Sequence, residues 1–394
     1  MSPKSETLPD FSNTKIAFAA QSTPRLYESY LVFKALGSNA LVKLGTSAIT
    51  SALRMHLPVT PLIRHTVFKQ FCGGTSLEDC LPVIDHMAKF GVKSIPDYSV
   101  EACTSEHELD DVAEEIKRTI LFTKKQDGVA MSVFKVTGVI RFEILEKRCK
   151  NATLNPEEQA AFENGKNRVL ELCAEAHKQG TIILIDAEES WIQDAIDEIA
   201  WEMMVKFNRE RCIVYNTLQM YRWDRLAYLQ TMCAKAKTAG VRFGAKLVRG
   251  AYMEKERDRA AKLKYKSPIQ ADKASTDRDF DAAVRFGIEE RSRIGLFVGT
   301  HNETSTLLLA ALMLEHKIAP NDPDIWFSQL FGMSDNLSFN LAKHQFNVAK
   351  YLPYGPVKSV LPYLFRRAAE NTSIKGQAGR ELTLIEKELK RRKS

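Results

Sequence analysis

Thr181-Ile-Ile-Leu-Ile-Asp186 is the stretch whose reading decides the fold. It is a short β-rich run that ends on a carboxylate, and a long helical pattern, Pro156–Gln179, precedes it. Seven more runs of the same kind are spaced along the chain: Val92–Tyr98, Val129–Val136, Cys212–Leu218, Arg242–Val248, Gly295–Thr300, Asp324–Leu330 and Phe346–Leu352. Strands separated by helices pair in parallel, and eight such units predict an α/β fold, a closed (β/α)8 barrel over residues 91–375. The span 92–375 is 284 residues, an ordinary size for that architecture. Its widest gap, 138–180, is too long for one crossover, so two helices, Glu143–Lys150 and Pro156–Gln179, are expected inside it.

Outward from the barrel, residues 24–90 read as a helical arm. Arg25 to Leu36 and Leu41 to Leu53 place apolar residues three and four apart, with Gly37 and Pro58 as punctuation. A third helix starts near Thr75 and Ser76, runs to Phe90 and stops at Gly91. Residues 1–23 are expected to be a flexible segment and 376–394 a charged tail, its Lys387–Lys393 run a solvated helix end.

The 394 residues are 44% apolar and 27% charged, which is globular composition and excludes a disordered or fibrous chain. The net charge of +7 permits a loose attraction to phosphates or acidic lipid. No run approaches the roughly 18 apolar residues of a spanning helix. Residues 1–15 carry Glu6 and Asp10 and no apolar centre, so they match neither a signal peptide nor an arginine-rich transit peptide. Seven cysteines with no CxxC pair argue against a disulfide framework and a cysteine zinc site. The eight histidines show no HxH or HExxH spacing, so no metal is expected. There is no GxGxxG, GxxxxGK[ST] or GxSxG, and no basic patch interleaved with aromatics, so a nucleotide loop, a nucleophile elbow and nucleic acid are not expected.

A barrel of this kind does its chemistry at the carboxyl ends of its strands. Those ends are polar nearly throughout: Asp97 and Glu101, Lys135, Asp186 with Glu188, Gln219, Lys246 with Arg249, His301 with Asn302, Gln329 and Tyr351. The densest is Gly244-Ala-Lys246-Leu-Val-Arg249-Gly250-Ala251-Tyr252, two cations followed by two small residues that let a ligand approach the backbone N–H groups. Thr300-His301-Asn302 suits a phosphate or a ribityl chain. Past Tyr351, the helix around Arg366, Arg367 and Glu370 is otherwise apolar, so its two arginines call for an anion such as a substrate carboxylate. Pro362 is expected to bend or interrupt that helix.

Taken together, Asp186-Ala-Glu-Glu, Leu218-Gln-Met-Tyr221, Lys246-Leu-Val-Arg-Gly-Ala-Tyr252, Gly299-Thr-His-Asn302, Gln329-Leu-Phe-Gly-Met333 and Tyr351-Leu-Pro-Tyr-Gly-Pro356, continuing to Arg366-Arg-Ala-Ala-Glu370-Asn, resemble the proline dehydrogenase family, in its eukaryotic mitochondrial branch. The resemblance implies a distorted barrel with non-covalent FAD that oxidises L-proline to Δ1-pyrroline-5-carboxylate and passes electrons to ubiquinone. It implies a place on the matrix side of the mitochondrial inner membrane, and the basic balance and apolar N-terminal helices suggest peripheral attachment there. By position, Asp186 and Lys246 match the family's catalytic residues. Arg366, Arg367 and Lys135 would hold the carboxylate, with Tyr252, Leu330 and Tyr351 on the ring methylenes and Glu101 paired to the first arginine as a gate. Ala187, Gln219, Lys246, Arg249, Gly250, Ala251, Thr300, His301 and Glu370 would contact FAD.

Two positions depart from the bacterial pattern, which has arginine in place of Lys246 and tryptophan in place of Met253; the eukaryotic branch also carries lysine. Three alternatives stay open: a hydroxyproline dehydrogenase, a Schiff-base lyase using Lys135 or Lys246, and a barrel kept as a non-enzymatic binding protein.

Overall fold

A computed structural model describes residues 8–55, 57–99, 105–373 and 377–394. All eight expected strands are present, each within two residues of its expected ends: β1 Lys93–Tyr98, β2 Met131–Lys135, β3 Ile182–Asp186, β4 Val214–Gln219, β5 Phe243–Val248, β6 Ile294–Gly299, β7 Ile325–Leu330 and β8 Val348–Tyr354. They form one parallel sheet in the order β1-β8-β7-β6-β5-β4-β3-β2. The sheet closes where Ser94 N–H donates to the Gly128 carbonyl and the Ser94 carbonyl accepts from Ala130 N–H, both at 2.8 Å. The result is the expected (β/α)8 barrel.

Side chains alternate across each strand. Ile183 and Ile185, or Phe243, Ala245 and Leu247, face outward and pack under the helices. Ile95, Met131, Val133, Leu184, Tyr215, Phe297 and Ala349 fill the barrel interior. The same parity turns Asp97, Lys135, Asp186, Gln219, Lys246 and Tyr351 inward in its top layer. Gly295 makes room for the buried Tyr215 below, since a Cβ there would lie 2.4 Å from the tyrosine oxygen.

The wide gap holds the two expected helices, Phe142–Cys149 and Pro156–Gln179. The second opens on a capping box in which Asn155 and Glu158 each satisfy the other's backbone N–H. The arm contains helices Thr23–Leu36, Asn39–Arg54 and Leu77–Ala88. It shares a core with the last two helices of the chain: Leu26, Phe33, Ile63 and Phe71 pack with Val360, Leu364, Ile385 and Leu389.

Three expectations are corrected. Of the segment expected to be flexible, residues 8–23 are packed: Phe11, Ala17 and Phe18 are buried, and Asn336 and Asn340 on helix Asp335–Lys343 donate to the carbonyls of Phe11 and Asn13. Its apolar residues are too few for a periodic signal, yet Phe11, Ala17 and Phe18 each find a groove. The C-terminal tail is a docked helix, Gln377–Arg391, rather than a solvated end. Glu388 is fully buried against Arg391 and Arg392, and Arg392 also caps the carbonyls of Phe18 and Gln21. These charges neutralise one another, while Ile385 and Leu389, four apart, supply the buried stripe. Finally, helix Val357–Ser373 runs through Pro362 without interruption. Pro362 and Lys358 are both exposed residues, and the proline removes one backbone donor, the one that would bond the Lys358 carbonyl.

Candidate active site

Asp186, Lys246 and Tyr351 arrive from β3, β5 and β8 and meet inside the barrel mouth. The Lys246 ammonium donates to Asp186 Oδ1 and to the Tyr351 hydroxyl, and it stands 4.4 Å from the Tyr351 ring centroid. The Tyr351 hydroxyl donates to the same Asp186 oxygen at 3.2 Å. Lys246 is 4% exposed and Tyr351 8%, so this triangle of charge is largely desolvated. Burial and the charges of Asp186 and Asp97 push the Tyr351 phenol far above its ordinary range, so it stays protonated.

Around the triangle lie further carboxylates. Asp97, at the end of β1, accepts from Ser99 at 2.9 Å. Burial and the Asp186 charge raise its pKa to about 6 against the pull of Lys135 and Lys246. Glu188 is raised to about 7 by burial, although Lys135 and two bonds from Thr137 oppose it. Lys135 therefore lies among Asp97, Glu188 and Tyr252, whose phenol also feels the charge of Arg366. This brings Lys135, Tyr252 and Arg366 into one neighbourhood. Arg367 is 8% exposed, stands 5.4 Å from the Tyr363 ring and reaches His301 electrostatically.

The other side is a cradle of backbone and hydroxyls. Gln219 donates to the Glu188 carbonyl at 2.7 Å and accepts from Ala251 N–H at 3.1 Å, which fixes the loop after β5. In that loop Gly250 has φ +132°, and a Cβ would lie 2.6 Å from the Tyr221 ring. Glycine alone fits there. The Arg249 guanidinium is occupied by Asp277, Thr300 and Ser305, and its backbone carbonyl accepts from Tyr221 N–H at 2.8 Å. His301 is half-buried, and desolvation together with Lys350, Arg367 and Arg249 lowers its pKa to about 3. Ala187 is buried at the end of β3, and Leu330 is half-buried at the end of β7.

Glu101 lies outside the described residues, and so does the side chain of Glu370, which falls on helix Val357–Ser373. Asp97 and Glu188 were visible only as polar strand ends. Lys350, Ser334 and Glu381 gave no signal. Lys350 lies within β8 but points out of the barrel, where it bonds Asp335 at 2.7 Å and the Met333 carbonyl at 2.6 Å.

Parallel barrel, inward acid–lysine–tyrosine centre and glycine cradle together define an enzyme of the (β/α)8 class with its site at the strands' carboxyl ends. The family model described as proline dehydrogenase matches residues 80–380. The chain is 31% identical to the mitochondrial proline dehydrogenase 1 of Dictyostelium discoideum, over 97% of this chain and 75% of that protein. It is 40% identical to the Caenorhabditis elegans mitochondrial proline dehydrogenase 1, over 61% of this chain but only 40% of the worm protein. Its fold superposes on bacterial proline utilization A from Bdellovibrio bacteriovorus with a TM-score of 0.70, at 18% identity, over 92% of this chain and 38% of that one. The chain belongs to the proline dehydrogenase family.

Proposed function

We propose that the chain oxidises L-proline to Δ1-pyrroline-5-carboxylate in proline catabolism, with FAD bound non-covalently and ubiquinone as electron acceptor. Family membership supports the reaction, and the observation that carries the site assignment is the desolvated Asp186–Lys246–Tyr351 triangle facing into the mouth. The residues present fit a flavin: Gly250 lets the loop Arg249–Ala251 turn tightly against Tyr221 at the barrel mouth, and Thr300 and His301 line the next strand end. Gln219 and Ala187 would border the same ligand, with Glu370 toward its ribose. When bound, FAD supplies the hydride acceptor for the ring carbon beside the proline nitrogen.

The chain's own work is to hold the substrate and bias charge. Arg366, Arg367 and Lys135 would hold the carboxylate by charge-assisted bonds, while Tyr252, Leu330 and Tyr351 pack on the methylenes and Glu101 gates the entrance. The Lys246 ammonium favours negative charge developing above it. Asp186 orients Lys246 and Tyr351 rather than taking a proton, since its Oδ1 already receives hydrogen bonds from both. The Schiff-base alternative is disfavoured at Lys246, because an amine ion-paired to a carboxylate is a cation and not a nucleophile.

The relatives' names support a mitochondrial location. No helix among the described residues is long and apolar enough to cross a membrane. Peripheral attachment to the matrix side of the inner membrane is supported by Leu31, Leu44 and Leu62, each more than 60% exposed on an arm that also carries Lys34, Lys43, Arg54 and Arg64. Failure to bind anionic vesicles at low salt would remove this part. The central test is a visible spectrum of the purified chain before and after anaerobic proline. A flavin band that bleaches supports cofactor, chemistry and substrate together; a colourless protein without FAD affinity refutes them.

A further inference from the structure

The C-terminal helix Gln377–Arg391 reaches back to the barrel mouth through two consecutive residues. Arg380 pairs with Glu303, the residue that follows His301-Asn302. Glu381 is 5% exposed, and its Oε1 accepts the Ser334 backbone N–H at 2.7 Å and the Ser334 hydroxyl at 3.4 Å. That same hydroxyl oxygen lies 2.9 Å from His301 Nδ1. Ser334 has φ +51°, a left-handed conformation that a non-glycine residue adopts only when its surroundings demand it. Here the backbone turns so that one serine faces both a carboxylate and an imidazole.

We propose that Glu381 is a positioning residue which, through Ser334, fixes His301 in the tautomer with hydrogen on Nδ1. A hydroxyl carries one hydrogen and can donate once. Glu381 Oε1 draws that hydrogen, so the serine oxygen is left to accept from His301 Nδ1–H. His301 stays neutral among Lys350, Arg367 and Arg249, so Nε2 carries no hydrogen and is an acceptor. A ligand group that meets Nε2 must therefore donate, as a sugar or ribityl hydroxyl does and an ionised phosphate does not. This last step rests on the reading of His301 as a cofactor contact; the tautomer does not. Both bonds from Ser334 fall on one Glu381 oxygen, so a glutamine carbonyl can replace it.

The test is nitrogen NMR of the full chain with ring-labelled histidine and no added cofactor or substrate, the His301 signal being assigned by its loss in H301N. The expected result is a single Nδ1–H tautomer in the wild type, kept in Glu381→Gln and lost to a mixture or to the Nε2–H form in Glu381→Ala. Ser334→Gly is the second variant. It suits φ +51°, keeps the N–H bond to Glu381 and removes only the hydroxyl, so it should release His301 even if Glu381→Ala fails to fold. An Nε2–H wild type, or an unchanged Nδ1–H tautomer in Ser334→Gly, overturns the proposal. Failure of the flavin reading alone would leave this result standing.

Discussion

Replacing Lys246 by methionine tests the centre of the site most directly. Methionine nearly preserves the side-chain volume, so a cavity contributes little and the change is one of charge. In the wild type the ammonium is 4% exposed and holds both Asp186 and the Tyr351 hydroxyl. Without it, Asp186 keeps, among the described residues, only the 3.2 Å bond from Tyr351 inside a mouth that already contains Asp97. Breaking a buried pair from one side costs about 3–5 kcal/mol, because the surviving charge is desolvated and uncompensated. Removing both charges avoids that penalty, so Asp186→Asn combined with Lys246→Met should cost less than the two single changes added together, by about 2 kcal/mol. Tyr351→Phe leaves the ion pair intact and should cost only about 1–3 kcal/mol. The assay is urea unfolding of the four proteins of the cycle at pH 7 and constant salt. Additivity within about 0.5 kcal/mol would refute the buried-pair reasoning. The same Lys246→Met protein, mixed anaerobically with proline, should reduce its flavin slowly; a normal rate would refute the electrostatic role given to Lys246.

Stability should also depend on pH through groups of opposite sign, with Glu188, Asp97 and Glu381 on one side and His301 on the other. Glu188 has its pKa raised to about 7 from 4.5, so its contribution is present below about 4.5 and is lost as pH rises through about 7. His301 is lowered to about 3 from 6.5, so its contribution is present above 6.5 and is lost as pH falls toward 3. Urea midpoints between pH 5 and 8 should therefore fall less steeply in Glu188→Gln, by up to about 3 kcal/mol in stability; an unchanged slope would contradict the burial argument. Gly250→Ala should lower the stability measured by urea unfolding by about 1–3 kcal/mol and weaken FAD binding by titration calorimetry, because the new Cβ meets the Tyr221 ring at an unfavourable φ. Tyr351 is held on both sides of its hydroxyl and cannot swing aside for a 4-hydroxyl group, so kcat/KM for hydroxyproline should fall well below that for proline. Comparable values would revive the hydroxyproline alternative.

Much of this is legible in the sequence. The eight runs of β-rich sequence carried the barrel because each buried strand must be apolar and each crossover must be a helix. Period-two alternation then determined that Asp186 shares a face with Leu184, and that Lys246 lies opposite in parity to Ala245 and Leu247, so their inward direction follows from local order alone. The 138–180 helices were equally plain, with Pro156 at a helix start and Asn155 before it.

Tertiary structure alone decided what lies far apart in the chain. Nothing local brings Glu381 to Ser334, 47 residues away, or Asp186 to Tyr351, 165 away. Nor does composition reveal that the charged C-terminus docks, because Glu388, Arg391 and Arg392 read as solvated until their mutual pairing removes the cost of burial. Short-range periodicity encodes which face of an element is apolar. Which faces meet, and hence which carboxylates sit at raised pKa beside which cations, depends on closing a ring of eight strands that no single segment specifies.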